Sequence, residues 1–219
     1  ESLQNFFPYS ISEENFWMRY SLVKHGASMH SLLPHVRGAR YTVVAIETTD
    51  GEVFGSFTGT AWKNNGASYF GSGEAFLWRL RQSRNTPCYS IVDLAHHESE
   101  LDIYPWTGDN HCVQFCSNDT FAVGGGGISS ETTFGGDAAI ADDEKKEYGF
   151  GFALDNNLLH GTTSNCTTFG SPPLSKVHAD GSPFEIVNVE VWTTTPCFSL
   201  EDAEKLQFGK LFLERHATI

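Results

Sequence analysis

Four consecutive glycines, Gly124, Gly125, Gly126 and Gly127, form the stretch of the sequence that most resembles a ligand-binding loop. Glycine-rich loops can hold phosphates because their backbone N–H groups come close to the ligand. This run lacks the Gly-Lys-Ser/Thr of a P-loop, and Ser129 stands where a dinucleotide fingerprint has its third glycine. We therefore predict that the four glycines allow two strands or loops to approach each other closely.

A carboxylate with two possible roles lies in the stretch Phe70-Gly-Ser-Gly-Glu-Ala-Phe76, where Gly71 and Gly73 precede Glu74. The stretch leads into an apolar, strand-like run, so the Glu74 carboxylate can accept backbone N–H bonds and pin the strand entry. General acid–base catalysis would need a second titratable group, which this stretch does not supply. We favour the structural role.

Other catalytic signatures are missing from the sequence. It contains no Gly-x-Ser-x-Gly, no His-Glu-x-x-His, no EF-hand loop and no paired Cys-x-x-Cys. Five histidines are too scattered to specify a metal site and are expected at the surface or in hydrogen bonds: His96, His97, His111, His160 and His178. The sequence thus predicts a protein that is not an enzyme and needs no cofactor.

The cysteines leave an alternative open. Their odd number and the absence of framework spacing predict a reduced, cytosolic chain. A thiol-based antioxidant or redox-active protein would need an accessible cysteine of low pKa. Cys88 and Cys166 lie in loop-like sequence and are the candidates, whereas Cys112 and Cys116 are expected in the core. Cys197 completes the set.

The N-terminal segment, residues 1–27, reads as helical and is expected to pack on the rest of the domain. Ser12 can cap a helix whose first turn carries acids, and Phe16, Tyr20 and Val23 fall on one side of it. Gly26 is a suitable end. A second short helix is predicted from residue 28 to residue 33, before Pro34.

Residues 28–193 have the pattern of a β-rich domain. The run 41–46, the turn at Asp50-Gly51 and the run 53–57 predict a hairpin, because Asp-Gly tolerates positive φ. Further strands are predicted at Ala75–Leu80, Ser90–Leu94, Cys112–Cys116, Thr120–Val123, Gly151–Leu154 and Glu185–Trp192. Short strands without long helices between them favour a mainly β fold with flanking helices (α+β), a two-sheet antiparallel sandwich.

Two segments stand apart from this pattern. Residues 128–148 are rich in Ser, Thr and Gly and then in charges, which is typical of a solvated surface insertion or of a docking loop. Residues 194–219 predict a C-terminal helix that begins with Ser199-Leu-Glu-Asp202, a variant capping box, and is weakened in its middle by Gly209.

Charge limits the partners. Acids outnumber bases by 27 to 14, a net charge of −13, which opposes binding to nucleic acids and to anionic lipid headgroups. No apolar run is long enough to span a bilayer, so no direct membrane insertion is expected. We expect a monomeric, cytoplasmic protein that binds other proteins.

The motifs, taken in order, resemble those of the TLDc domain family, which includes the oxidation-resistance proteins and the nuclear receptor coactivator 7 group. The resemblance runs from about residue 28 to Trp192. Its motifs are Asp50-Gly-Glu-Val-Phe-Gly-Ser-Phe57, Tyr69-Phe-Gly-Ser-Gly-Glu-Ala-Phe-Leu77, Trp106-Thr-Gly, Ser117-Asn-Asp, Gly124-Gly-Gly-Gly127, Gly151-Phe-Ala-Leu-Asp155, His160-Gly, Cys166-Thr-Thr-Phe-Gly-Ser-Pro-Pro-Leu174 and Phe184-Glu-Ile-Val-Asn-Val-Glu-Val-Trp192.

The resemblance implies a TLDc-type sandwich, a role in resistance to oxidative stress and binding to the vacuolar-type ATPase, whose assembly or activity such domains regulate. No reaction is established for the family. A regulator of this kind would be cytoplasmic and reach endolysosomal or vacuolar membranes through its partner, the peripheral subunits of the pump. A module that positions other domains of a longer chain is a third reading. The insertion at 128–148 and the helix after Trp192 depart from the family pattern.

Within that reading, loops at the ends of the sheets are the expected contact points for a partner, since loops on a rigid scaffold commonly carry binding. The candidate partner-binding residues are Gly71, Gly73, Glu74, Gly124, Gly125, Gly126, Gly127, His160, Gly161 and Phe169.

Overall fold

The computed structural model of the chain describes residues 3–126 and 149–216. The insertion predicted at 128–148 lies outside these residues, and so does Gly127. Within them the strands are β1 (Asn15–Ser21), β2 (Thr42–Thr48), β3 (Val53–Thr58), β4 (Ala75–Leu80), β5 (Leu101–Pro105), β6 (Gln114–Cys116), β7 (Thr120–Val123), β8 (Phe152–Asp155), β9 (His160–Thr162) and β10 (Phe184–Thr195). The α-helices are α1 (Leu22–His25), α2 (Met29–His35), α3 (Ile91–Ser99) and α4 (Leu200–His216).

All strand pairs in the described residues are antiparallel, and β10 joins two arms of the sheet. The first arm runs β5-β4-β3-β2 to β10, and the second runs from β10 through β9-β8-β7 to β6. The start of β10, at Phe184 and Glu185, pairs with β9, while its later residues pair with β2 on one side and β1 on the other. The mainly antiparallel β fold with flanking helices is therefore confirmed.

The main core lies between the two arms. Val44 and Leu77 of the first arm belong to the same buried cluster as Phe121 and Leu154 of the second. Contact is close, because a Cβ added at Gly151, just before β8, would lie 2.3 Å from Leu77 Cδ1. Burial of this apolar surface is the principal source of the fold's stability.

A second cluster covers the other face of the first arm. Phe57 and Phe76 lie on this face and stack with centroids 5.1 Å apart. Phe7 and Ile11 of the N-terminal segment are buried against it. In the described part of the N-terminal segment, Phe7 and Ile11 therefore pack on the first arm, and Asn15–Ser21 enters the sheet as β1.

The helix predicted between Ser12 and Gly26 is wrong, because most of it is strand β1. Phe16 and Tyr20 are four residues apart, which suggested one face of a helix. In the structure β1 pairs with β10, and its register shifts between Met18 and Tyr20. The shift places Phe16 against the second cluster and Tyr20 in the main core. Only α1 is helical here.

The strand predicted at Ser90–Leu94 is also wrong, because these residues begin helix α3. Ser90 caps the helix by accepting a hydrogen bond from the Asp93 N–H at 3.0 Å, and Asp93 is an acid in the first turn. The apolar run read as a strand, yet no residue of α3 is buried. Strands β5 and β9 were not predicted, and α2 continues through Pro34 to His35.

The remaining strand predictions are confirmed within three residues, and the hairpin is built as predicted. Gly51 has φ 74°, and the Thr48 N–H donates to the Glu52 carbonyl at 3.0 Å, closing the turn between β2 and β3. The C-terminal helix begins at the predicted cap, where the Asp202 N–H donates to Ser199 Oγ at 3.2 Å.

Candidate functional site

The glycine run leaves β7 and passes directly against the turn at residues 166–170. Gly124 and Gly126 have φ 84° and 92°. A Cβ at Gly124 would lie 2.4 Å from Cys166 Sγ, and one at Gly126 would lie 1.9 Å from Thr167 Oγ1. Any larger side chain would displace this turn, so the predicted close approach of two segments is confirmed for the three described glycines.

Hydrogen bonds lock the two segments together. The Gly125 N–H donates to Thr168 Oγ1 at 3.0 Å, and that hydroxyl donates to Asn110 Oδ1 at 2.8 Å. Asn110 Nδ2 donates in turn to Thr167 Oγ1 at 3.2 Å, and the Thr167 hydroxyl lies 2.9 Å from the Gly126 carbonyl oxygen, its acceptor. These polar groups are thus occupied by one another instead of facing a ligand.

Trp106 connects Gly73 to this network. A Cβ at Gly73 would lie 2.4 Å from the Trp106 ring, so any larger residue at position 73 would overlap the indole. The indole Nε1–H donates to the Asn110 carbonyl at 2.7 Å. Gly71, with φ 114°, lies close to Val113 in the same way. We call Gly71, Gly73, Trp106, Asn110, Gly124–Gly126 and Thr167–Thr168 the glycine cluster.

Sequence reasoning missed the residues that tie this cluster together. Asn110 and Tyr69 were not among the candidates, and Thr168 appeared only inside a motif. The Tyr69 hydroxyl would lie 2.5 Å from a Cβ at Gly125, and burial, with Cys112 and Cys166 nearby, raises its pKa to about 12. The sequence contains no signal that Asn110 contacts Thr167 and Thr168, which lie 57 and 58 positions later. Only the fold brings these residues together.

Glu74 is exposed next to the cluster, and its side chain has no hydrogen-bond or ion-pair partner among the described residues. The predicted pinning of the strand entry by its carboxylate is therefore wrong. The strand is instead entered through Gly73 and Trp106, whose N–H donates to the Ala75 carbonyl at 3.2 Å. Glu74 remains available to solvent.

His160 and Gly161 lie at the other end of the second arm. Strand β8 runs from Phe152, which pairs with Val123 beside the glycine run, to Asp155, whose Oδ2 lies 3.3 Å from His160 Nδ1. Gly161 is packed against Phe184, so a Cβ there would lie 2.6 Å from that ring. The structure thus does not bring these two residues to the glycine cluster.

Phe169 is buried in the main core, beside Gly124, and Gly124, Gly125 and Gly161 are buried as well. Its ring packs against the glycine run and offers a partner almost no surface. A contact of Phe169 with a partner stays a prediction, and the structure shows a packing role for the ring.

The two candidate thiols occupy opposite environments. Cys166 is buried, and burial raises the pKa of its thiol, which donates to the Gly125 carbonyl at 3.5 Å. Cys88 is exposed, and its Sγ lies 3.2 Å from His97 Nδ1 on α3. As expected for a core residue, Cys116 is buried, which raises its pKa to about 11. Only Cys88 of the two candidates is placed for chemistry with solvent.

Two absences concern residues 3–126 and 149–216, the part of the chain that the structure describes. No group of three or more His, Cys, Asp or Glu side chains in this part of the chain is arranged to hold a metal ion. None of the described helices has the length and apolar character needed to cross a membrane.

The chain thus forms an antiparallel β fold in which the glycine run and the turn at residues 166–170 are joined by hydrogen bonds. Residues 1–195 match the family model of the TLDc domain, so the chain belongs to the TLDc family. The match includes β1 and β10, the strands that join the N-terminal segment to the sheet.

Several curated proteins that are similar to this chain share one name, Oxidation resistance protein 1. Oxidation resistance protein 1 of Yarrowia lipolytica is 29% identical over 199 residues, which cover 88% of this chain and 69% of that protein. The protein of the same name from Saccharomyces cerevisiae is 28% identical over 216 residues, 88% of this chain and 69% of the yeast protein. The Rattus norvegicus protein is 29% identical over 174 residues, 79% of this chain but 16% of the rat protein.

Proposed function

We propose that this chain is a non-enzymatic protein-binding domain that contributes to resistance against oxidative stress. The observation that carries the proposal is the glycine cluster, in which hydroxyl, amide and backbone groups satisfy one another instead of facing a substrate. Such a cluster holds loops rigidly, and rigid loops bind partners with little loss of conformational entropy. The link to oxidative stress comes from the name of the relatives.

The partner we propose is the set of peripheral subunits of the vacuolar-type proton-pumping ATPase, as the resemblance to the TLDc family implies. Binding would regulate pump assembly or activity, which requires different affinities for the assembled and the disassembled states. A net charge of −13 favours a basic docking surface and makes association sensitive to salt. The domain would work in the cytoplasm and reach vacuolar or endolysosomal membranes through the pump.

The test is the ATPase rate of purified pump from the matched species, with and without this protein, at two salt concentrations. Size analysis of the mixture would follow. We expect a dose-dependent change in rate or a released peripheral sector, weaker at high salt.

Glu74→Arg, beside the glycine cluster, should reduce the effect. Asp119→Arg, an equally exposed charge reversal in the turn before β7, should leave it intact. No change in rate and no co-migration would refute the pump as partner.

A second function is favoured by one observation, the 3.2 Å contact between Cys88 Sγ and His97 Nδ1 at the surface. An imidazole that accepts the thiol proton gives a thiolate, which can attack peroxide, forming a sulfenic acid and releasing water. Cys166, whose pKa is raised by burial, is not expected to react.

For this second function we predict that dilute hydrogen peroxide converts Cys88 to a sulfenic acid, trapped by dimedone and located by mass spectrometry. His97→Ala should slow the trapping, and His96→Ala on the same helix should not. Cys166 and Cys116 should stay unmodified in the folded protein. If Cys88 reacts no faster than a free cysteine in an unstructured peptide, the thiol function is excluded.

A further inference from the structure

Two aromatic side chains point into solvent on either side of a cleft that the glycine cluster does not explain. The first is Tyr9, which is 97% exposed at the start of a 3-10 turn, Tyr9–Ile11. The turn is fixed, because Ile11 is buried in the second cluster and Ser12 Oγ donates to the Tyr9 carbonyl at 3.0 Å. Tyr9 is therefore held out by an anchored turn.

The second is Phe198, which is 94% exposed immediately before the capping residue of α4. An apolar residue at this position normally packs on the fourth residue of the helix, forming a hydrophobic staple. Here that residue is Ala203, which is fully buried, and the 94% exposure of Phe198 means that its ring does not pack on it. Asn15 Nδ2 donates to the Cys197 carbonyl at 3.0 Å and holds this segment beside the start of β1.

Between these residues lies a cleft of about 370 Å³, which we call the terminal cleft. It is lined by Tyr9, Ser10, Ser12, Glu13, Glu14, Asn15, Pro196 and Phe198. Its volume is that of a pocket for a small ligand or a few side chains. Glu13 and Glu14 form no ion pair with the described residues, so both carboxylates lack a counter-charge.

Further unsatisfied groups line an adjoining cleft of about 200 Å³ that shares Glu14 and Pro196 with the first. Gln207 Oε1 and Thr194 Oγ1 are buried and have no hydrogen-bond partner among the described residues. Arg40, the cation that lines this cleft, lies over the Tyr41 ring and forms no ion pair with Glu14. The two clefts together thus present two carboxylates without an ion pair and two buried oxygens without a hydrogen-bond partner among the described residues.

We propose that the terminal cleft binds a lysine or arginine side chain of a protein partner, with an apolar residue beside it. The cation would pair with Glu13 and Glu14, and its donors would satisfy the oxygens that lack partners. The faces of Tyr9 and Phe198 would contact the cation and its apolar neighbour, as aromatic anchors do in binding surfaces. The proposal rests on the proposed protein-binding function and names a face and a partner chemistry for it.

The test uses the whole chain labelled with ¹⁵N and the probe peptide acetyl-Leu-Phe-Arg-Leu-amide, followed by amide chemical shifts. The matched control peptide carries citrulline in place of arginine, which keeps the shape and removes the charge. We expect shifts confined to the lining of the two clefts, residues 9–15, 38–41, 194–199 and 206–207, and an affinity for the citrulline peptide about tenfold lower, the ratio that 1.4 kcal/mol gives.

Variants separate the two contributions. The double substitution Glu13→Gln and Glu14→Gln should weaken binding of the arginine peptide about tenfold, and Phe198→Ala should weaken it by a similar factor. Two controls should bind as the natural chain does: Glu98→Gln with Glu100→Gln, which removes the same charge, and Tyr89→Ala, which removes an equally exposed aromatic ring. All substituted side chains are exposed or half-exposed, so the fold should tolerate them.

Shifts elsewhere in the protein, equal affinity for the two peptides, or no shift at millimolar peptide would each overturn the proposal. These failures are distinct from failure of the pump experiment. A chain that alters the pump but does not bind the peptide has its docking face elsewhere. A chain that binds the peptide at the terminal cleft but leaves the pump unchanged has a different basic partner.

Discussion

At the scale of single residues, Asp102 shows how charge stabilises the edge of the first arm. Its Oδ2 accepts a hydrogen bond from Arg79 Nε at 3.0 Å, and its Oδ1 accepts one from Arg81 Nε at 2.8 Å. Burial alone would raise the pKa of Asp102, but the hydrogen bonds and charges of Arg81 and Arg79 outweigh it, so the pKa is lowered. The carboxylate thus joins β5 to β4.

We predict that Asp102→Asn lowers the free energy of unfolding by about 1 kcal/mol at pH 7, a value that allows for partial solvent screening. A lowered pKa in the folded state gives stability that is present above the unfolded value, about 3.9, and is lost as pH falls through the folded value. The difference between the two chains should therefore shrink as pH falls below the unfolded value and vanish once the folded-state carboxyl is protonated. Urea unfolding over a series of pH values from 7 downwards measures this, with Asp119→Asn as the control. A difference that persists at low pH would assign the effect to packing instead.

At the scale of elements, local chemistry predicted some features well. The hairpin of β2 and β3 could be predicted because Asp50-Gly51 determines its own turn, and α4 because Ser199 supplies its own cap. The close approach of two segments at Gly124–Gly126 could also be predicted locally, because a run of glycines permits it.

Strand β1 could not be predicted, since its partner β10 lies at the other end of the chain and its register shift conceals the alternation. In α3 the apolar residues Ile91 and Val92 suggested a strand, but the local cap at Ser90 begins a helix, on which both side chains are exposed. The hydrogen bonds of the glycine cluster, such as Asn110 with Thr168, likewise join residues far apart in sequence.

The glycine cluster gives a prediction at this scale. Gly126→Ala should cost about 3 kcal/mol of stability, because alanine is strained at φ 92° and its Cβ would overlap Thr167 Oγ1. Gly66→Ala is the matched control: φ is also positive, at 66°, but nothing lies within 4 Å of the added Cβ, so only about 1 kcal/mol is expected.

Thermal or urea unfolding of both variants provides the comparison. Adding Thr167→Ala to the Gly126 variant should recover part of the loss, since the overlapping oxygen is gone. Equal losses for the two glycine variants would mean that the turn at residues 166–170 yields freely, contrary to a rigid cluster.

At the scale of the whole molecule, the two arms share one core and should unfold together. Leu77 of β4 is fully buried and touches the second arm at Gly151. We predict that Leu77→Ala costs about 2–5 kcal/mol, as large-to-small changes in cores do. Amide hydrogen exchange should accelerate as much in β7 and β8 as in β2 and β3. Val177→Ala, at an exposed position, should change neither. Faster exchange in the first arm alone would indicate two independent units.

The position of β10 in the chain has a consequence for biosynthesis. Strands β2 to β5 and β6 to β9 leave the ribosome before Phe184–Thr195, yet β1, β2 and β9 each pair with that last strand. Until it emerges, the nascent chain has unpaired strand edges and an open apolar interior, the features that invite aggregation. The sheet can therefore be completed only after Phe184–Thr195 has been synthesised, and the chain made up to that point is the form that most needs a chaperone.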